Sequence, residues 1–467
     1  MIRKDQILVG AAAALVLFWQ LVLPPPVGVA DNGDFLKLTG RCSLGAPNRE
    51  YYIDTHYAFD SHYNWQGSGF YSSELLLFSL AMAANEVLSK DGSFDLRVMG
   101  CIHGALFLAA VILLVPLLDG VSRALRLVFC GAALFMFCDV MYVSYFNSFY
   151  MDVAGYLSLL LAVVLYLRVL RWRRRVDAIL LVVCTLVAVT SKPQHALLGI
   201  WFTLLFLLLP DVMWGGRKLV AAAVSIAMLL ATWAAFQFET PPMQTAKSCF
   251  NVAFMLILPN SKNVDRTLAE LGLDNSYRKW IGSTAYAEGV GLDERANYEP
   301  FKRKLSYGRL AWFFLTHPLN AYRSLRAALN EGGMQRPKYL GNFEAASGQP
   351  ARAQSQSFAA WSDLKRMLFY DHAPRFLLSF LGLAVLVTAL LALARRSLPR
   401  GAVAGGMVLI GMAFTEMLVS SLAEGMEPAR HLMIFFAQFD MLLLAALWLM
   451  VLISRSAWAP PGLNRNT

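Results

Sequence analysis

The sequence predicts an all-α polytopic membrane protein, and three observations lead there. The chain has 467 residues, of which 57% are hydrophobic and only 15% charged. Ten apolar runs approach the roughly 20 residues that a membrane-crossing helix requires: 7–23, 98–118, 125–145, 151–168, 177–191, 195–210, 219–236, 376–394, 401–421 and 431–453. The basic residues, finally, keep to alternate gaps between those runs. Arg3 and Lys4 come first, then Arg123 and Arg126, RVLRWRRR (168–175), Arg217 and Lys218, ARRSLPR (394–400) and Arg455. Short basic loops stay cytoplasmic. Threading ten spans puts every one of these gaps on that side, together with both termini.

Taken in order, the first run carries MIRK before it and VGVA before Asp31, features shared with a cleaved signal peptide. Its apolar core is long for that role and three prolines intervene, so a retained anchor is expected. The threading leaves two long segments outside, 24–97 and 237–375. It divides the chain into an N-terminal membrane module (1–236), an external helical segment (237–375) and a C-terminal membrane module (376–467). Within the first external segment, SSELLLFSLAMAANEVLSK (72–90) reads as a helix lying along the interface. Counted as a span, it would invert everything after it. In the second, YGRLAWFFLTHPLNAYRSLRAALNEGG (307–333) has Leu310, Phe313, Phe314 and Tyr322 on one broad face. It is expected to hug the membrane rather than join a separate core. EAASGQPARAQSQS (344–357) reads as a mobile loop. Of six cysteines, Cys101, Cys130, Cys138 and Cys184 lie in or beside spans and read as packing residues. Cys42 and Cys249 fall in the two external segments, where a disulfide is one option that spacing alone does not decide.

The formal charge of +10 does not point to nucleic acid, because the cations flank apolar helices rather than aromatic platforms. There is no Walker A pattern, and GSGFYS (67–72) lacks the strand–turn–helix setting of a dinucleotide fingerprint. The loops assigned to the cytoplasm are too short for a nucleotide-binding domain. An enzyme on the outer face would therefore take its donor from the lipid phase.

Four charged groups emerge on that outer face: DNGDF (31–35) after the first span, NSFYMD (147–152), SKPQH (191–195) and AEGMEPARH (423–431). Each has an ordinary structural reading. Asp31 and Asp34 suit an Asx turn with Gly33, Asp152 suits a helix first turn, and Lys192 can snorkel. Arg430 and His431 can flank the last span or pair with Glu427. Together they carry more weight, since charges at a membrane boundary are costly unless paired or functional. A carboxylate can take a proton from an attacking hydroxyl. Lys and Arg can stabilise the charge that develops on a leaving lipid phosphate. Glycosyl transfer from a lipid phosphate needs both.

The order of these motifs resembles the GT-C superfamily of membrane glycosyltransferases, and within it the bacterial hexosyltransferases of surface-glycan assembly. The pieces that carry the resemblance are NGDF (32–35), NSFYMD (147–152), SKPQ (191–194), RPKYLGNF (336–343) and EPARH (427–431). The resemblance implies a GT-C-like helical bundle, a polyprenyl-phosphate sugar donor and a glycan or lipid-linked acceptor. It implies a bacterial plasma-membrane setting with the site facing outside, and inversion at the anomeric carbon. It casts Asp34 as the general base with Asp31 as alternative, Asp152 as an acceptor-orienting group or, second, a metal-binding one, and Lys192, Arg430 and His431 as phosphate-binding. Glu424, Glu427, Tyr339 and Asn342 are supporting residues. The acidic motif is Asp-Asn-Gly-Asp rather than adjacent acids, which leaves the choice of base open. Family members using polyprenyl monophosphate sugars commonly work without metal, so no metal or cofactor is expected. Two other classes compete: a transporter or flippase of lipid-linked glycan, and an O-antigen-type ligase. Against the first, the acids gather at one face rather than the midplane and no internal repeat is visible. Against the second, a ligase has no need of NGDF after the first span.

Overall fold

The computed structural model describes residues 3–45, 50–59, 70–89, 91–238 and 240–457; the first half of GSGFYS, 67–69, lies outside them. All ten predicted runs are helical. Seven helices are long and apolar enough to cross a membrane: Lys4–Leu21, Leu96–Leu118, Asp152–Trp172, Lys218–Phe238, Ala373–Ala394, Ala402–Leu422 and Met433–Arg455. The other three depart from the expected span length. The 125–145 run is two helices, Arg123–Phe137 and Val140–Phe146, bent by 51°. The break falls at Asp139, whose carboxylate accepts the Met141 N–H at 2.8 Å and so starts a new helix. Helix Arg175–Val189 has 15 residues, and the apolar helix Pro193–Leu208 is also short.

One span is the pillar of the bundle. In Asp152–Trp172, 89% of the apolar window is buried, against 28–56% in the other six. A helix apolar on every side stabilises itself only when neighbours enclose it. Here Leu96–Leu114, Arg175–Val189 and Met433–Ala457 do so. Its first residue, Asp152, thereby stands fixed at one end of the molecule.

The opposite end is basic. Arg3 and Arg126 pair with Asp119, Arg123 and Arg126 pair with Asp5, and Arg168 pairs with Asp177. Arg171 and Arg455 donate to carbonyls of the 117–120 loop. The basic gaps around residues 3, 123, 171 and 455, separated in sequence, thus meet at one pole.

Helix Glu74–Leu88 has 15 residues and is not among the spans. It buries Glu74, Phe78, Ala81 and Asn85 while Leu76, Leu80 and Val87 face outward. A short antiparallel pair, His56–Ala58 with Ser93–Asp95, ties the first long segment down. The second long segment corrects two expectations. First, 307–333 is not one helix. It divides into Tyr307–Thr316 and Pro318–Gly332, because proline bars the preceding residue, His317, from helical geometry. Leu310 and Phe313 join Phe250, Phe254, Leu268, Leu271 and Phe301 in a core separate from the bundle. Tyr322, expected on the same face, is exposed with Trp312, Leu315 and Leu319. Second, the 344–357 loop is clipped rather than free. Arg336 donates to the Ser355 carbonyl at 2.6 Å, Gln354 to the Pro337 carbonyl at 2.7 Å, and the Ser355 N–H to Asn342 at 3.1 Å. All six cysteines are free thiols, Cys42 and Cys249 included, so the optional disulfide is not formed.

Candidate functional site

The loop after the first span is shaped by its own side chains. Asp31 Oδ1 accepts the Gly33 N–H at 2.7 Å and the Phe35 N–H at 3.0 Å. This is the Asx turn expected from the sequence, and it requires a positive φ at Gly33, found at 100°. The Tyr150 hydroxyl anchors the turn through the Ala30 carbonyl (2.9 Å) and Asn32 Oδ1 (3.1 Å). Asn32 in turn donates to both oxygens of Glu427, at 3.0 and 2.8 Å.

The turn aims Asp34 at two cations. Its Oδ1 lies 2.6 Å from Lys37 and its Oδ2 2.9 Å from Arg430. Arg430 reaches Glu427 at 2.6 Å and stacks over the Tyr150 ring at 4.9 Å. Glu427 itself sits in the left-handed region (φ 52°), a costly conformation for a non-glycine residue that the surrounding contacts hold in place. Next to Arg430, His431 Nδ1 accepts from Lys192 at 3.0 Å, and Lys192 pairs with Asp152 at 3.0 Å. Behind Asp152 come His195, 3.6 Å away, and Glu416, 2.9 Å beyond it on His195 Nδ1. Gln194 ties this back by donating to Glu416, Ser420 and the His431 carbonyl. A continuous chain of charged and polar groups therefore runs Lys37, Asp34, Arg430, His431, Lys192, Asp152, His195, Glu416, with Arg430 and His431 3.5 Å apart.

The two candidate acids differ in chemistry. Burial pushes the Asp31 carboxyl up to about 6, against the pull of its two backbone N–H donors. Its Oδ2 is buried without a partner. Burial also opposes ionisation of Asp34, but Lys37 and Arg430 overcome it and hold the group well below the usual carboxylate range. Asp34 is the more exposed of the two, 20% at the side chain. His431 is held well below the usual imidazole range by burial and by the adjacent Lys192 and Arg430, so it stays neutral. Its lone pair is free to accept from Lys192.

The remaining predicted residues divide. Tyr339 is half-buried, its hydroxyl enclosed beside Glu427 without a hydrogen bond of ordinary geometry. Glu424 accepts from Ser248 at 3.2 Å, joining the 423–431 loop to the second long segment. Asn342 does not turn toward the charged chain. Its amide donates to the Gly28 carbonyl at 2.6 Å and accepts from Ser355, bracing one loop against another. Among the described residues no three His, Cys, Asp or Glu side chains converge as metal ligands.

Asn32, Tyr150, Gln194 and His195 lay within the motifs singled out from the sequence but were given no role of their own; Lys37 and Glu416 lay outside them. Glu416 had a usable signal, since a lone carboxylate in an apolar run is expensive and marks a partner inside the bundle. A second such pair is His103 with Glu74, at 2.8 Å. Glu74 Oε2 also accepts the Ala154 N–H at 2.7 Å, capping the helix that begins at Asp152.

A polytopic bundle with a charged first loop describes many membrane proteins, and comparison narrows it. The model of the YfdI N-terminal transmembrane domain matches residues 2–459. The chain belongs to that family. This YfdI-type domain is a multi-pass membrane protein of helical architecture. No curated protein and no solved structure matches the chain.

Proposed function

We infer that this YfdI-type protein is a membrane glycosyltransferase of GT-C type. It moves a sugar, a hexose on the resemblance to surface-glycan transferases, from a polyprenyl-phosphate donor to a glycan or lipid-linked acceptor. One observation supports this above the others: the Asp34 carboxylate lies 2.9 Å from Arg430, in a chain of groups that continues to Lys192. Base and phosphate-binding cations thus share one site. That site lies at the pole opposite the basic loops. By the tendency of basic loops to stay inside, it faces outward from a bacterial plasma membrane.

The chemistry follows from the pairing. Arg430 is shared between Asp34 and Glu427, and Lys192 between Asp152 and His431. An arriving phosphate diester competes with these carboxylates for the cations. As Arg430 turns to phosphate, Asp34 loses part of the charge that holds its pKa down and becomes a stronger base. Asp34 then takes the acceptor hydroxyl proton as its oxygen attacks the anomeric carbon. The bond to the lipid phosphate breaks, and Arg430 and Lys192 stabilise the departing oxygen. One displacement without a covalent sugar–enzyme intermediate inverts configuration; a retained anomer in purified product would contradict it.

The test uses membranes supplied with polyprenyl-phosphate sugar. Asp34→Asn and Lys192→Ala should each stop sugar incorporation while donor still reaches the outer leaflet. Donor trapped on the inner side would instead identify a flippase. Full transfer by both Asp34→Asn and Asp31→Asn would refute the choice of base.

A further inference from the structure

A large cavity lies away from the charged site. It has a volume of about 570 Å³ and wraps the inner half of the pillar span Asp152–Trp172, from Leu160 to Arg171. Phe107, Phe137, Leu160, Leu391, Met412 and Trp448 are among its walls, which are apolar throughout its depth. Its charged groups, Asp119, Arg171 and Arg455, meet at the rim beside Gly120 and Ser397. Close-packed interiors do not leave such volumes empty, since every lining atom would lose its contacts. Water is a poor filling for a space with so few polar partners.

The rim says what the filling carries. Arg171 donates to the Leu117 and Asp119 carbonyls, and Arg455 to the Gly120 carbonyl. Neither has a carboxylate partner among the described residues; the nearby Asp119 carboxylate is taken by Arg3 and Arg126. Both guanidinium groups are exposed and keep unused N–H donors in a geometry suited to phosphate. A long apolar slot under two unpaired arginines is complementary to an anionic lipid. Asp152 and Arg171 stand at opposite ends of one helix, about 28 Å apart at 1.5 Å per residue. A lipid with its phosphate at this rim is therefore not the one whose phosphate lies at Asp34.

We propose that the cavity is a binding site for an anionic glycerophospholipid of the leaflet opposite the charged site, one acyl chain inside and its phosphate on Arg171 and Arg455. The full chain, reconstituted in vesicles of equal parts phosphatidylglycerol and phosphatidylcholine and re-extracted in mild detergent, is examined by native mass spectrometry. About one phosphatidylglycerol per chain should be retained over phosphatidylcholine, roughly tenfold in preference. The double variant R171A/R455A should lose that preference, and Ala133→Phe, which fills the cavity, should lower retention of either lipid. Equal retention of both lipids, a preference unchanged in R171A/R455A, or a polyprenyl phosphate as the lipid carried from the cell would each overturn the proposal. Because both arginines are exposed, R171A/R455A keeps the bundle's packing and stays informative even if Ala133→Phe does not fold.

Discussion

Asp34 and Asp31 stand three residues apart, yet their environments drive them in opposite directions. Asp34 is ionised at every physiological pH, because Lys37 and Arg430 outweigh the cost of its burial. Its stabilising pairs persist above the ordinary carboxylate range and fail only as pH falls through its depressed value. Asp31 behaves in reverse. With its carboxyl at about 6 in the fold against 3.8 when free, the folded protein binds the extra proton, so stability declines as pH rises from about 4 to 6. Thermal unfolding in detergent should therefore show a lower Tm at pH 7.5 than at pH 5, and Asp31→Asn should flatten that dependence. Asp34→Asn should cut transfer by more than ~100-fold, the scale of a lost general base. Gly33→Ala forces a side chain into the φ 100° position and should cost roughly 1 kcal/mol or more while misdirecting Asp34. These acids were visible in the sequence as a short motif. Which of them faces the cations was not, because that depends on the turn Asp31 builds with its own backbone.

At the scale of elements, the helix beginning at Asp152 holds one end of the charged chain in place. Its first turn is capped by Glu74 from a different helix, with His103 supporting the same carboxylate. Glu74→Ala would strand the Ala154 N–H and leave His103 Nε2 without its partner, while Nδ1 keeps the Phe146 carbonyl, at ~1–3 kcal/mol for each unpaired buried group. The expected result is a lower Tm and weaker transfer, with Glu74→Gln recovering more of both than Glu74→Ala. Hydrophobic run length located the helices of all ten apolar runs, since burial in lipid and burial in a bundle leave the same apolar signature, but not polar helices such as Pro242–Asn251 and Arg295–Lys304. It did not locate the breaks. Asp139 within 125–145 and Pro318 within 307–333 were the local signals, each a residue that ends or starts a helix irrespective of the apolar pattern around it. Nor could periodicity tell that Leu310 and Phe313 pack into a core of their own, because their partners, Phe250 and Phe301, are distant in sequence.

The whole molecule has two poles. Basic residues from gaps far apart in sequence gather at one, and the acid–cation chain occupies the other. This much was legible, because alternate loops of a threaded bundle must emerge on the same side. What was not legible is the interior continuation of the site through His195 to Glu416, which arises where helices Pro193–Leu208 and Ala402–Leu422 touch. Sidedness can be read in cells with single cysteines in a background free of the native six. Ser122→Cys, at the basic pole, should react only with a membrane-permeant thiol reagent, and Gln349→Cys should react with an impermeant one. The opposite pattern would turn the bundle over and put the charged chain inside.

The claim on which the rest depends is a division of labour, with one carboxylate moving a proton and two cations gripping the lipid phosphate. Equilibrium binding of polyprenyl phosphate, measured beside turnover in the same purified variants, separates the two roles. Asp34→Asn should bind the lipid phosphate at least as tightly as the native protein and turn over almost nothing. Arg430→Ala and Lys192→Ala should each weaken binding by ~10-fold or more, the loss expected of a charge-assisted contact. Turnover surviving in Asp34→Asn, or binding unchanged in both cation variants, would contradict it.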